Sequence, residues 1–148
     1  MIADLSKNLF NQSRDNMKII EKIKTYEDAC QVEGVDPVKS LPYPEPQNDD
    51  EKAINGVAKM FRIGRVLNEG WLPDWSNKNE YKYYPWFGMQ TYSDQISSST
   101  DFSYIDYVYV DSFSYVSSRG CFKSGELAEY AGKQFLSTYR EFMVIERS

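Results

Sequence analysis

The residues best suited to chemistry lie together in Ser117-Ser118-Arg119-Gly120-Cys121-Phe122-Lys123-Ser124-Gly125, which places two cations, three hydroxyls, a thiol and two glycines before a helical pattern. Amides at a helix N-terminus and the helix dipole both favour negative charge, so Arg119, Lys123 and Ser124 are candidates to hold a phosphate or carboxylate. The segment is not a P-loop, because GxxxxGK[ST] is missing, and the alternative is plain helix capping with surface charge. Cys121 sits between Arg119 and Lys123, cations that favour a thiolate; the competing reading is a small buried residue leading into a helix. The chain has no histidine. That removes the commonest general base and metal ligand and the Ser-His and Cys-His routes to a nucleophile. Asp101, Asp106 and Asp111 recur every five residues, a spacing that alternates faces of a strand and builds no carboxylate pair. No catalytic residue, metal site or cofactor is implied.

The second candidate is aromatic. Fourteen of the chain's 23 aromatic residues fall between Trp71 and Tyr115. Tyr and Trp have polar tips that need partners when buried and otherwise suit wet or binding surfaces. Trp71, Trp75, Tyr83, Tyr84 and Trp86 can stack on a planar base or sugar, with Asn77 as an orienting amide; they can equally form a core corner or an oligomer interface. A planar group beside an anion site describes a nucleotide-like ligand.

A chain of 148 residues with 41% hydrophobic and 26% charged residues suits one folded domain. Its net charge of −5 repels a phosphate backbone, which makes nucleic acid an unfavourable partner. Cys30 and Cys121 are the only cysteines and lack metal or redox spacing. The first 20 residues hold no apolar signal core and no run is long enough to span a membrane, so a cytoplasmic location is expected, without a membrane partner.

These residues need elements to position them. Residues 1–17 show weak helical spacing and a polar gap from Asn11 to Asn16, and read as a loosely ordered or partner-docked segment. KIIEKIK is either a short strand or the end of a helix. Thr25 to Asp28 form a capping box for a helix ending near Glu33, with Gly34 in the left-handed turn. LPYPEPQNDD is an extended connector, and a long helix is expected over about Asp50 to Glu69, with Gly70 as its C-cap. Glu80 to Tyr92 reads as a strand pair or a strand broken at Pro85, and Asp94 to Thr100 as a turn. From Phe102 to Val116 the residues alternate, with Ile105, Tyr107, Tyr109, Phe113 and Tyr115 on one face and Phe102, Tyr104, Val108 and Val110 on the other. Apolar character on both faces implies a covered sheet or an interface, and the shortage of covering helices implies a homo-oligomer. Ser124 caps a last helix, whose Leu127, Ala131, Phe135, Tyr139 and Phe142 should pack on the sheet. The expected fold is α+β: one domain over 18–148, with a small, mainly antiparallel sheet against two longer helices.

LNEGWLPDW, KYYPWF and SRGCFKSGELAEYAGKQF resemble a family of small, uncharacterised proteins from gut bacteria and their tailed phages and prophages. Gly120 stands where that pattern carries leucine. The resemblance spans about Lys24 to Phe142 and brings no catalytic residues; it implies a phage or prophage accessory protein acting inside a bacterial host cell. Together with the aromatic and cationic residues, it leads to an expected non-enzymatic protein that sequesters a small nucleotide-like ligand, such as a host immune signal. The alternative is a structural or protein-interaction role, as a virion component or an inhibitor docked on a host protein.

Overall fold

The computed structural model describes residues 2–89 and 102–145, so the expected turn at Asp94 to Thr100, together with Asp101, lies outside the described residues. The first element is a continuous helix, α1 (Ile2–Lys22), which takes in most of the 1–17 segment expected to be loosely ordered or partner-docked. Ile2, Leu5, Leu9, Asn16, Ile19 and Ile23 follow a spacing of three, four and seven, which puts them on one helical stripe. The polar gap hid this stripe. Asn16 can be buried within it because its amide donates to Ser124 Oγ at 3.0 Å and Glu126 Oε2 at 3.3 Å. KIIEKIK is the end of this helix, and every residue from Ile2 to Asp15 is exposed.

The capping box forms as expected: Thr25 Oγ1 accepts from the Asp28 amide, Asp28 accepts from the Thr25 amide, and α2 (Tyr26–Glu33) stops at Gly34 with φ 68°. The proline-rich connector is pinned by buried Asn55, which accepts from the Tyr43 amide at 3.0 Å and donates to its carbonyl at 2.7 Å. Asn48 caps α3 (Asp49–Leu67), and Asn68 ends it; Gly70, at φ 82°, belongs to the turn beyond.

Strands β1 (Lys82–Gly88) and β2 (Ser103–Val110) make one antiparallel pair with a register shift between Trp86 and Phe87. Pro85 is accommodated without breaking β1, because in a two-stranded sheet its missing donor can face away from the ladder. After β2 come the four-residue α4 (Ser117–Gly120), then α5 (Gly125–Gln134) and α6 (Leu136–Met143). The expected single final helix is bent at Phe135 (φ −107°, ψ 27°). The bend lets α5 cover the sheet while α6 packs on α3, and it keeps both Phe135 and Tyr139 buried.

Glycine makes the α5–sheet approach feasible. A Cβ at Gly132 would lie 2.5 Å from the Tyr104 ring and 2.8 Å from Pro85 Cβ, and one at Gly125 would lie 2.5 Å from the Tyr107 ring. The core below is formed by Ile23, Ala29, Cys30, Ile63, Leu67, Leu127, Ala128 and Ala131, all fully buried. The strand ends at Val110, short of the alternation expected to Val116: Phe102 before it and Tyr104, Val108 and Val110 on it are buried or half-buried, whereas Ile105, Tyr107 and Tyr109 on it and Phe113 and Tyr115 beyond it are exposed. The molecule is therefore a single α+β domain, and among the described residues no helix is long and apolar enough to cross a membrane.

Candidate functional site

The C-terminus of α3 organises the candidate site. Two successive positive φ angles, at Glu69 and Gly70, turn the chain so that Trp71 to Pro73 pass beside the helix end. Asn68, buried at that end, donates to the Cys121 carbonyl at 2.9 Å and accepts from the Lys123 amide at 3.1 Å. One amide thus ties the segment after α4 to α3, and α4 with it. The Arg119 carbonyl and the Phe122 ring pack over Gly64 at ordinary contact distance, 3.7 and 3.8 Å from where a Cβ would stand.

The loop that follows is held from inside by Lys82. Its side chain has no exposure, and its ammonium donates to the carbonyls of Asp74, Asn77, Glu80 and Asp111 at 2.6, 3.1, 2.7 and 2.9 Å. Desolvating an ammonium is tolerable only with such complete pairing. The same nitrogen lies 5.3 Å from the Trp75 ring centre, and Trp75 Nε1 donates to Ser118 Oγ at 2.7 Å. Lys82 therefore fixes the loop, the loop fixes Trp75, and Trp75 reaches α4.

Arg119 projects between two grooves. One, of about 270 Å3, is lined by Phe61, Arg65, Asn68, Trp71, Leu72, Pro73, Ser118 and Arg119. The other, of about 250 Å3, is lined mostly by apolar side chains from α3, β1 and α6. The Arg119 guanidinium carbon lies 5.7 Å from the Phe61 ring centre, and no carboxylate among the described residues lies within ion-pair distance of it. Arg65 is partly committed, because Glu33 accepts from its Nε at 2.7 Å and its Nη2 at 2.9 Å. Those bonds, with a further one from Arg62, hold the Glu33 carboxyl below its ordinary pKa.

The structure thus brings Trp71 and Arg119 into one groove and fastens Trp75 at its margin. The other candidates lie elsewhere. Ser124 Oγ caps α5 by accepting from the Leu127 amide and also accepts from Asn16, so the first turn of that helix is already occupied by the chain itself. Lys123 lies 3.8 Å from Glu69. Asn77 stabilises its own loop by accepting from the Asn79 amide. Tyr83 is half-buried, bridges to Phe122 through the backbone and packs on Tyr107 and Tyr109; Tyr84 is buried. Trp86 is 53% exposed and pairs in register with Asp106, on the ribbon rather than in the groove. Burial pushes the Cys121 thiol up to about 11, which supports the small-buried-residue reading over a reactive thiolate.

Sequence reasoning passed over Phe61, Arg65 and Asn68 as groove residues. Their signal was present: spacings of four and three on one face of α3, ending at the Trp71 turn. It was masked because Phe61 also fits the core stripe. Comparison of the chain with protein-family profiles, curated protein sequences and solved structures gives no match.

Proposed function

We propose that this protein is a non-enzymatic binder of a small anionic ligand with a planar ring, nucleotide-like in chemistry, held in the groove between Trp71 and Arg119. The observation that carries this reading is Arg119, a guanidinium with no described carboxylate partner, at the rim of a groove walled by an indole. Arg suits a phosphate or carboxylate because its planar fork can donate two parallel bonds, and Trp71 offers a face for a base. Ser118 and Asn68 add polar groups that can orient the ring. In the phage or prophage setting implied by the sequence motifs, capture without turnover would remove a host immune signal from the cell. Calorimetric titration with mono-, di- and cyclic nucleotides tests the idea. At least one is expected to bind with Kd below about 100 μM, weakened tenfold or more in Trp71→Ala and Arg119→Ala; a panel without any such binder refutes it.

A second reading, a protein-interaction role, is favoured by α1. Ile2, Leu5 and Leu9 are 85%, 65% and 67% exposed on the same stripe whose continuation, Asn16, Ile19 and Ile23, is buried against the domain. Such a stripe suits docking on a host or virion protein, or on a second copy of the chain. Sedimentation of wild type and of Leu5→Asp/Leu9→Asp separates these partners: a self-association lost in the variant identifies the second copy.

A further inference from the structure

The apolar groove on the other side of Arg119 has its own chemistry. Met60, Phe61, Phe87, Phe122 and Phe142 wall its volume of about 250 Å3. Folded interiors rarely leave voids larger than a water molecule, since each unfilled volume forfeits packing energy. An engineered cavity of about 150 Å3 takes benzene, and drug-sized pockets begin at about 300 Å3. The groove therefore has room for one or two rings. Among the described residues, polar atoms on its lining side chains come from only three: Arg119, the exposed Tyr115 and the buried Tyr139, whose hydroxyl makes no hydrogen bond to any described residue.

We infer that this groove is a second subsite, which takes the ring system of a small aromatic carboxylate whose charged end rests on Arg119. The inference shares with the proposed function the reading of Arg119 as an anion anchor, but it assigns the ring to the Phe87 and Phe142 side rather than to Trp71. The aromatic walls supply edge and face contacts to a flat ring. Phe61, which lines both grooves and lies beneath Arg119, holds the guanidinium at the boundary between them.

The test is calorimetry with 2-naphthoate, its uncharged analogue 2-naphthalenemethanol, and adenosine monophosphate. Wild type is expected to bind 2-naphthoate with Kd on the order of 0.1–1 mM, the range for a small, efficient ligand, and the alcohol at least tenfold more weakly. Val57→Phe, which fills the groove from α3, should abolish naphthoate binding while Trp71→Ala leaves it unchanged; Arg119→Ala should cost tenfold. Met143→Trp narrows the groove from α6 and replaces Val57→Phe if that variant fails to fold. Absence of naphthoate binding to wild type, or wild-type affinity retained by both groove-filling variants, overturns the inference. Binding of naphthoate without adenosine monophosphate supports it and removes adenosine monophosphate as the ligand of the Trp71 groove, whose nucleotide reading stands or falls with the full panel.

Discussion

The Arg119 guanidinium lies over the Phe61 ring, 5.7 Å from its centre, at the boundary of two grooves. Such a pair contributes about 0.5–1 kcal/mol at exposed sites, and here it also restricts where the charge can point. Phe61→Leu should therefore weaken anion binding by about two- to fivefold, measured by calorimetry, with a stability change below about 1 kcal/mol. Unchanged affinity would show that the ring does not position the guanidinium.

Lys82 is expected to be the costliest polar substitution in the fold. Lys82→Met keeps the stem and strands four carbonyls, each buried acceptor costing about 1–3 kcal/mol if no water reaches it. Urea unfolding should show a loss of at least about 3 kcal/mol, accompanied by a red-shifted Trp75 emission as the loop loosens. A loss below about 1 kcal/mol would mean that the four bonds are readily replaced.

Glu33 makes acid stability depend on the α2–α3 contact. Its carboxyl is held below its ordinary pKa, first by the Arg65 hydrogen bond and then by Arg62, against a desolvation cost that acts in the opposite direction. With the folded value lower than the unfolded one, the stabilisation is fully present above the unfolded value near 4.3 and drains away as pH falls below it. Glu33→Gln should cost about 1.5–3 kcal/mol at pH 7 and show a shallower loss between pH 4.5 and 3 than wild type. Parallel pH curves for the two proteins would contradict this.

The fold and the site were legible to different degrees. Thr25, Asp28, Gly34 and Ser124 could be read directly, because capping depends on a few neighbouring residues and nothing distant. The α+β class followed from the α3 stripe and the alternation in β2. Helix α1 was obscured because Asn16 fills a stripe position through bonds to Ser124 and Glu126, over a hundred residues away. The break at Phe135 was hidden for the same reason: both halves have sound helical spacing, and only packing on two different partners, sheet and α3, bends the chain. The aromatic excess was visible but not its division: Tyr84 and Trp86 share one face of β1, so alternation alone does not tell that the first is buried and the second exposed. Arg119 was picked for a helix terminus, yet its setting comes from Asn68 and Trp75, through contacts that no local spacing encodes.

Both thiols should be silent in the native state. Cys30 and Cys121 are buried, and burial raises Cys121 to about 11, so little thiolate forms near neutrality. Ellman's reagent at pH 7.5 should react with neither thiol until denaturant is added, then with both; rapid labelling of the folded protein would contradict the packing around α4.

The three tryptophans allow the central claim to be read in one spectrum. Trp71 lines the groove, Trp75 is fastened to its margin through Ser118, and Trp86 stands on the ribbon outside it. Titrating a bound nucleotide into 15N-labelled protein should shift the indole N–H signals of Trp71 and Trp75 and leave that of Trp86 in place. A spectrum in which Trp86 moves while Trp71 does not, or in which none of the three responds, would contradict recognition at the Trp71–Arg119 groove.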